Sequence, residues 1–198
     1  MKIPFLILCL VMLVFTRCST SKIPPIDQQT GKFPTKKTLK ATEIIVDKTI
    51  SFNDYNQFLY IYINKYSDVA MEYENYLLGT FREIGGFNTY YTENALERFV
   101  IQNNLADKVT NVYDSASLAN LQKEVGPFLI CEITILKEFS FSYIFELKII
   151  VPAHREVVLD IYHEPFIWSS FNKELFNPVF NYYIDWLVRS MHYQIPGG

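Results

Sequence analysis

The sequence lacks the short motifs that mark the common classes of catalytic site. It contains no GxSxG, no phosphate-binding P-loop and no dinucleotide-binding glycine pattern. Its three histidines, His154, His163 and His192, are far apart, and none belongs to an HExxH-like pattern. Around His163, a strand would place Asp160 and Glu164 on one face and the histidine on the other, which is poor geometry for a metal. We therefore expect a protein that is not an enzyme and has no catalytic residues, metal or cofactor.

Cysteine and positive charge are both scarce. Cys9 lies in an apolar leader, Cys18 lies at its end, and Cys131 occupies an inward position of a predicted strand. An exported form would keep no cysteine pair for a disulfide in its folded body, and Cys131 is interpreted as a small buried hydrophobe. The formal net charge is −3, and the basic cluster at residues 36–40 lies in a predicted linker. Because phosphate binding needs a concentrated basic surface, we expect no nucleic acid partner.

Residues 1–17 have the pattern of a bacterial secretory signal peptide. They begin with Lys2 and continue as an almost unbroken apolar run over residues 3–15, which is shorter than the ~20 residues that a membrane-spanning helix needs. Directly after them stands Cys18, preceded by Phe-Thr-Arg and followed by Ser-Thr-Ser. This position resembles the lipobox of bacterial lipoproteins, in which the leader is cut just before a cysteine that becomes lipidated. We expect Cys18 to carry palmitate or a similar lipid and to anchor the protein in a membrane.

The junction leaves alternatives open. The residue before a lipobox cysteine is normally small, and here it is Arg17. Cleavage after Ser21 by the general signal peptidase, or retention of the leader as an uncut anchor, are the competing interpretations. In a lipidated form the second residue is Ser19, not the aspartate that retains enteric lipoproteins in the inner membrane. The periplasmic face of the outer membrane is therefore favoured over the inner membrane or a soluble periplasmic form.

The segment after the leader is predicted to be a flexible tether. Residues 18–40 are polar, contain prolines and show no hydrophobic period. A linker of ~22 residues spans at most roughly 70 Å when extended, so the domain could stand off a membrane and search for a partner. The whole chain is 49% hydrophobic and 20% charged, and residues 41–196 are predicted to form a single globular domain.

Hydrophobic periodicity in this domain predicts an alternation of strands and helices. Strands are predicted or favoured at residues 44–52, 58–63, 87–91, 129–135, 141–151 and 156–162. Helices are predicted at residues 67–84, from Thr92 to about residue 105, and at residues 116–125 and 172–191. We therefore expect an α+β (two-layer α/β) fold with a mixed sheet of about four to five strands. Its helices would pack mainly on one face, and a long helix would end the domain.

The order of these elements resembles the periplasmic α/β module of the curli secretion channel lipoprotein. It is also similar to the amino-terminal domain of the Tol-system propeller protein and to the lipoprotein activators of penicillin-binding proteins. Residues 118–136 (LANLQKEVGPFLICEITIL) look like the family's helix ending in Leu-Gly-Ala-Asp and its following strand. Residues 87–99 (FNTYYTENALERF) look like its strand bearing "vvdR" and the next helix.

The resemblance covers residues 55–165 and has departures. Gly126 and Pro127 replace Gly-Ala-Asp, and Glu132 stands where relatives often have glycine. No membrane-crossing hairpins are visible, which argues against a pore-forming role. The resemblance implies protein–protein contact in the periplasm, without a cofactor and without catalysis.

Two functions remain open. In the first, the protein is a tethered accessory subunit of a cell-envelope machine for secretion, flagellar or cell-wall assembly. It would bind a periplasmic or outer-membrane protein complex, and self-association is compatible with this role. In the second, it is a periplasmic carrier for a small lipid or glycan, and its many aromatic residues line a cavity.

The predicted partner-binding patch lies on one face of a strand that is apolar on both of its faces. If the helices cover one side of the sheet, the other side exposes aromatic and aliphatic side chains. In the alternative, the final helix or residues 44–52 cover this side. The predicted patch consists of Phe58, Tyr60, Tyr62, Ile144 and Ile150.

Overall fold

The computed structural model describes residues 23–35, 42–64, 70–139, 142–165 and 173–193. The strands in these ranges are β1 (Thr42–Asp47), β2 (Phe58–Ile63), β3 (Thr89–Tyr91), β4 (Leu129–Phe139), β5 (Ser142–Val151) and β6 (Glu156–His163). They form one sheet in the order β1-β6-β5-β4-β2-β3. The predicted signal peptide and Cys18 lie outside the described residues.

The described α-helices are α1 (Ala70–Ile84), α2 (Glu93–Gln102), α3 (Ser115–Val125) and α4 (Asn177–His192). The predicted α+β class, the mixed sheet and the long C-terminal helix are confirmed, and the described sheet has six strands, slightly more than expected. No helix in the described ranges is both long and apolar enough to cross a membrane.

The sheet combines parallel and antiparallel pairs. β2 pairs in parallel with β3 on one side and with β4 on the other, whereas β4, β5 and β6 form an antiparallel meander. Parallel neighbours need a crossover connection, so α1 joins β2 to β3, and α2 and α3 join β3 to β4. The two crossovers run in opposite directions across β2, and since such connections are right-handed, their helices lie on opposite faces.

We call the face of the sheet that carries Leu59, Cys131 and Ile149 the first face. It packs against α1 and α4 in the larger core. Trp186 of α4 is fully buried there, and its indole N–H donates to the backbone carbonyl of Lys48 at 2.9 Å. Cys131 is 0% exposed, as its inward position predicted, and burial raises the pKa of its thiol.

The opposite side of the sheet, which we call the second face, is covered by helices at one end. Phe58 and Tyr60 of β2 belong to a smaller core with Leu96 of α2 and Leu121 of α3. The Phe58 ring stacks on that of Phe128 with centroids 4.3 Å apart. The two longer helices do lie on the first face, but α2 and α3 also protect this end of the second face. The expectation that the second face is open at this end is therefore wrong. It is covered by α2 and α3, and not by the final helix or residues 44–52, which were the two covers considered from the sequence.

The N-terminal residues 23–35 dock onto the helical layer of the first face. Phe33 is 3% exposed, and its ring meets that of Phe180 of α4 edge-on at 6.1 Å. Ile23 and Ile26 pack against the larger core. This part of the predicted flexible tether is thus bound to the domain, because one buried aromatic ring and two isoleucines outweigh its polar composition.

A polar stripe on α4 holds this docked segment. Asn181 accepts a hydrogen bond from the N–H of Phe33 at 2.8 Å and donates one to its carbonyl at 3.0 Å. One turn earlier, Asn177 donates to the carbonyl of Pro34 at 2.8 Å. One turn later, Asp185 pairs with Lys32 at 2.8 Å. Side chains four residues apart share a helix face, so the stripe follows the extended chain for three residues.

The docked segment predicts the effect of Asn181→Ala. The variant loses both hydrogen bonds between the Asn181 amide and the backbone of Phe33. It should lower the free energy of unfolding by about 2 kcal/mol, because the buried N–H and C=O of Phe33 are left unpaired. Urea unfolding of the full-length protein measures this change. Asn53→Ala, at an exposed asparagine, is the matched control and should cost less than about 0.5 kcal/mol. Equal effects of the two variants would contradict the docking.

Candidate functional site

A groove of about 170 Å³ opens on the second face beside α3. Its floor consists of side chains from β2, β4 and β5. The start of α3 with the loop before it forms one wall, and the turn between β5 and β6 forms the other. The floor residues are Tyr60, Tyr62, Ile130, Glu132 and Ile150.

The wall that α3 contributes is fixed by a helix cap. Asp114 occupies the N-cap, and its carboxylate accepts a hydrogen bond from the N–H of Ser117 at 2.8 Å. A cap of this kind satisfies a backbone donor that the first turn would otherwise leave unpaired. It fixes the position at which Ser115 and Leu118 line the groove, while Val112 is buried just before the helix.

The opposite wall is tied to the same helix. The N–H of Ala153, in the turn after β5, donates to Oε1 of Gln122 of α3 at 2.8 Å. Pro152 and Arg155 of this turn line the groove. Arg155 has a φ of 54°, an uncommon left-handed conformation for a residue with a side chain. The two walls therefore form one connected frame around the opening.

Aromatic rings continue from the floor to the lip. The Tyr62 ring lies 6.3 Å from that of Tyr60 and meets the Tyr113 ring edge-on at 5.5 Å. Tyr113 is 43% exposed, so its ring is available both to the groove and to solvent. Tyrosine at such a position offers an apolar body and a polar end, which is typical of binding surfaces.

Tyr60 lines the groove, but its hydroxyl oxygen is sealed inside the protein. The residue is 0% exposed, and its hydroxyl oxygen has no hydrogen-bond partner in the described structure. Burial raises the pKa of Tyr60 far above its ordinary value, so the hydroxyl is protonated and able to donate. A buried polar group without a partner costs about 1–3 kcal/mol.

Next to the groove, four charged side chains form what we call the carboxylate strip: Glu132, Glu146 and Asp160 around Lys148. The ammonium of Lys148 lies 2.7 Å from Glu146 and 3.8 Å from Oδ2 of Asp160. Glu132 is its cross-strand neighbour and accepts a hydrogen bond from Asn64 at 2.9 Å. Within the described ranges, no cluster of His, Cys, Asp and Glu is arranged to hold a metal.

Asp160 is the least solvated member of the strip. It is 7% exposed, and its Oδ1 finds no hydrogen-bond partner in the described part of the chain. Burial raises the pKa of Asp160 even though the Lys148 ammonium lowers it. Burial lowers the pKa of Lys148, but the carboxylates of Glu146, Asp160 and Glu132 raise it on balance. The strip thus contains more negative charge than its single ammonium neutralises.

The structure divides the predicted partner-binding patch. Phe58 and Tyr60 are 5% and 0% exposed, so neither presents a surface to a partner outside the groove. Tyr60, Tyr62 and Ile150 meet at the groove. Ile144 lies opposite Leu136 near the far end of the hairpin, six residues from Ile150 and outside the groove.

Eight of the eleven groove residues were not predicted as site residues, and Glu132, Tyr113 and Arg155 are the most informative of them. Glu132 was recognised as unusual for the strand, but strand alternation alone did not connect it with Tyr62. Tyr113 and Arg155 lie in loops on either side of the groove, where the sequence carries no periodic signal. The approach of these loops depends on where α3 packs, which is a tertiary property.

No family model and no curated protein matches the chain. Similar solved structures include the lipoprotein GNA1162 of Neisseria meningitidis, with 12% identity and a TM-score of 0.41, covering 69% of this chain and 99% of that one. The PelC dodecamer of Paraburkholderia phytofirmans has 11% identity and a TM-score of 0.39, covering 70% and 96%. Likenesses of this size assign neither a family nor a function. The resemblance to the curli secretion lipoprotein and its relatives stays a prediction.

The unpaired hydroxyl predicts that Tyr60→Phe does not destabilise the protein. The variant should keep or raise the free energy of unfolding by up to about 1 kcal/mol, because it removes a desolvated group and keeps the ring. Tyr76→Phe is the matched control, since the Tyr76 hydroxyl donates to Asn177 at 3.5 Å and its loss should cost about 1 kcal/mol. Urea unfolding compares the two, and a larger loss for Tyr60→Phe would show that its hydroxyl is bonded.

The pKa of Asp160 predicts a pH dependence of stability. Because this pKa is raised, the folded state binds the proton more tightly, and stability falls as the pH rises from the unfolded value through the folded one. Asp160→Asn should therefore raise the free energy of unfolding near pH 7 and raise it by much less near pH 3. Chemical unfolding at both pH values measures the difference, with exposed Asp107→Asn as control. A gain of the same size at both pH values would contradict the assignment.

Proposed function

We propose that this protein is an exported, lipid-anchored accessory protein of the bacterial cell envelope. Its folded domain binds a protein partner at the groove of the second face, and it catalyses no reaction. The leader and Cys18 support the export and the anchor, and the outer membrane is the expected location. The groove supports the binding role, because it joins apolar walls and the exposed aromatic ring of Tyr113 in one frame.

The groove is the single observation that carries the proposal. Binding energy at protein interfaces concentrates in a few side chains that fill well-formed pockets, surrounded by a polar rim. Ile130, Leu118 and Ile150 supply such a pocket, and Glu132 and Arg155 supply charges beside it. This arrangement needs no cofactor to bind a partner side chain.

The docked N-terminal segment defines how the anchor holds the domain. Only residues 19–22 separate Cys18 from the docked Ile23, a stretch that spans at most about 18 Å. A lipid on Cys18 would therefore hold the domain near the membrane on the side of the docked segment, with α1 and α4. The groove, on the opposite face of the sheet, then faces away from the membrane towards partners in the periplasm.

A small-ligand carrier is the second candidate function. The apolar lining of the groove favours it, because pockets for small ligands are lined mainly by apolar and aromatic side chains. Native mass spectrometry of the purified protein distinguishes the two candidates. A carrier would retain a bound small molecule that delipidation removes.

The partner-binding role predicts a site-specific crosslink in living cells. A photoreactive residue in place of Arg155, at the groove rim, should capture a discrete partner. Tyr113→Asp should reduce this adduct about tenfold, because interface aromatics contribute strongly to affinity and a desolvated carboxylate opposes binding. Immunoblotting with mass spectrometry of the adduct measures the change.

Tyr182→Asp is the matched control for this experiment. Tyr182 is 37% exposed on α4, close to the 43% of Tyr113, but it lies on the other side of the domain. Tyr182→Asp should leave the adduct unchanged, and equal adducts in the Tyr113→Asp and Tyr182→Asp variants would contradict the groove as the binding site.

In the same cells, labelled palmitate should be incorporated into the wild type and not into Cys18→Ala.

A further inference from the structure

We propose, on the basis of this function, that the partner segment carries an aromatic side chain directly beside a basic one. The aromatic ring enters the groove, and the cation lies over the carboxylate strip. The partner is thus identified by its chemistry as an aromatic–basic peptide segment.

The size of the groove favours one ring. An apolar cavity of ~150 Å³ admits a single benzene molecule, whereas sites for drug-sized ligands occupy ~300–1,000 Å³. At about 170 Å³, the groove matches one aromatic side chain and is small for an acyl chain or an oligosaccharide. Ile130, Leu118 and Ile150 provide the apolar contacts, and Tyr62 offers the edge or face of its ring.

Two tyrosine rings favour an aromatic side chain in the groove. Tyr62 and Tyr113 line it, and their rings meet edge-on at 5.5 Å. Aromatic rings prefer edge-to-face or offset contacts at such distances. A ring of the partner would therefore extend this pair of rings.

The carboxylate strip favours a neighbouring cation. Glu132, Glu146 and Asp160 share one ammonium, that of Lys148, and Lys148 makes its short contact with Glu146. Oδ1 of Asp160 is also buried and unpaired in the described structure, so the strip has fewer donors than acceptors. Hydrogen bonds between ionised groups are about twice as strong as neutral ones, so a guanidinium or ammonium would bind here.

The groove and the strip are continuous, and the charges fix a direction. Glu132 belongs to both, since it lines the groove and faces Lys148 across β4 and β5. Arg155 stands at the other end of the groove, where a second cation would be repelled. Successive side chains of a fully extended strand point to opposite faces. The segment therefore binds with a bend at the ring, and the long apolar stem of the neighbouring Arg or Lys carries its charge to the strip.

Short peptide probes test this inference on the full-length protein in detergent. The probes are N-acetyl-Tyr-Arg-amide, N-acetyl-Tyr-Glu-amide and N-acetyl-Gly-Arg-amide, with methyl β-glucoside as a glycan probe. Saturation-transfer NMR titrations give the dissociation constants. We expect the Tyr-Arg probe to bind about tenfold more tightly than the Tyr-Glu probe, the Gly-Arg probe not to bind measurably, and this tenfold preference to shrink as salt is added.

Matched charge variants locate the effect. The double variant Glu146→Gln/Asp160→Asn should abolish the preference for Tyr-Arg while retaining the binding of Tyr-Glu. The control Glu83→Gln/Asp107→Asn removes the same charge from exposed positions and should keep the preference. Thermal unfolding verifies that both variants are folded, and the salt dependence in the wild type gives the same information without any substitution.

The outcomes separate this inference from the proposed function. Equal binding of Tyr-Arg and Tyr-Glu would overturn the inference, while a crosslink from position 155 that Tyr113→Asp removes would leave the proposed function standing. Binding of the glucoside in place of the peptides would overturn the inference in favour of the carrier. If no probe binds, the inference fails, and the crosslink alone then decides the proposed function.

Discussion

β2 pairs in parallel with β3 on one side and with β4 on the other, and each pairing requires the chain to leave the sheet and return. The first crossover leads outward from β2 to β3, and the second leads back across β2 to β4. Since right-handed crossovers in opposite directions place their helices on opposite faces, α1 covers the first face and α2 with α3 covers the second. Both sides of β2 are buried for this reason, and its six consecutive apolar or aromatic residues suit that position.

The groove follows from the unequal lengths of helices and strands. α2 and α3 contain 10 and 11 residues, and at ~1.5 Å per residue they are about half as long as strands of the same residue count. β4 and β5 contain 11 and 10 residues, so the short helices leave much of the second face beyond their ends. The groove lies at this border, where Ile130 and Ile150 pass from the smaller core to the opening and Glu132 begins the carboxylate strip.

The docked N-terminal segment connects this domain to its predicted anchor. Polar side chains spaced four residues apart along α4 bind residues 32–34, much as a neighbouring strand would. They are Asn177, Asn181 and Asp185. Side-chain amides thereby pair backbone groups of an extended segment without adding it to the sheet. The same helix buries Trp186 in the larger core, and its buried Phe180 contacts Phe33 of the docked segment. The core of the domain and the path of the N-terminal chain are therefore stabilised together.

The sequence by itself determined the fold class and most of the elements, because hydrophobic periodicity, Gly126 and the alternation in β4 and β5 are local signals. It also placed Cys131 in the core. It did not determine which face remains open: Phe58 and Tyr60 have the same pattern whether or not α2 and α3 cover them. Strict alternation in β6 would place Val157 inward with Leu159 and Ile161, whereas the register is irregular there and Val158 is the residue at 1% exposure. The groove and the docked segment were decided only by tertiary structure. They depend on the direction of the crossovers, on the length of the helices and on contacts between residues ~150 positions apart in the chain. None of these produces a hydrophobic period in the sequence.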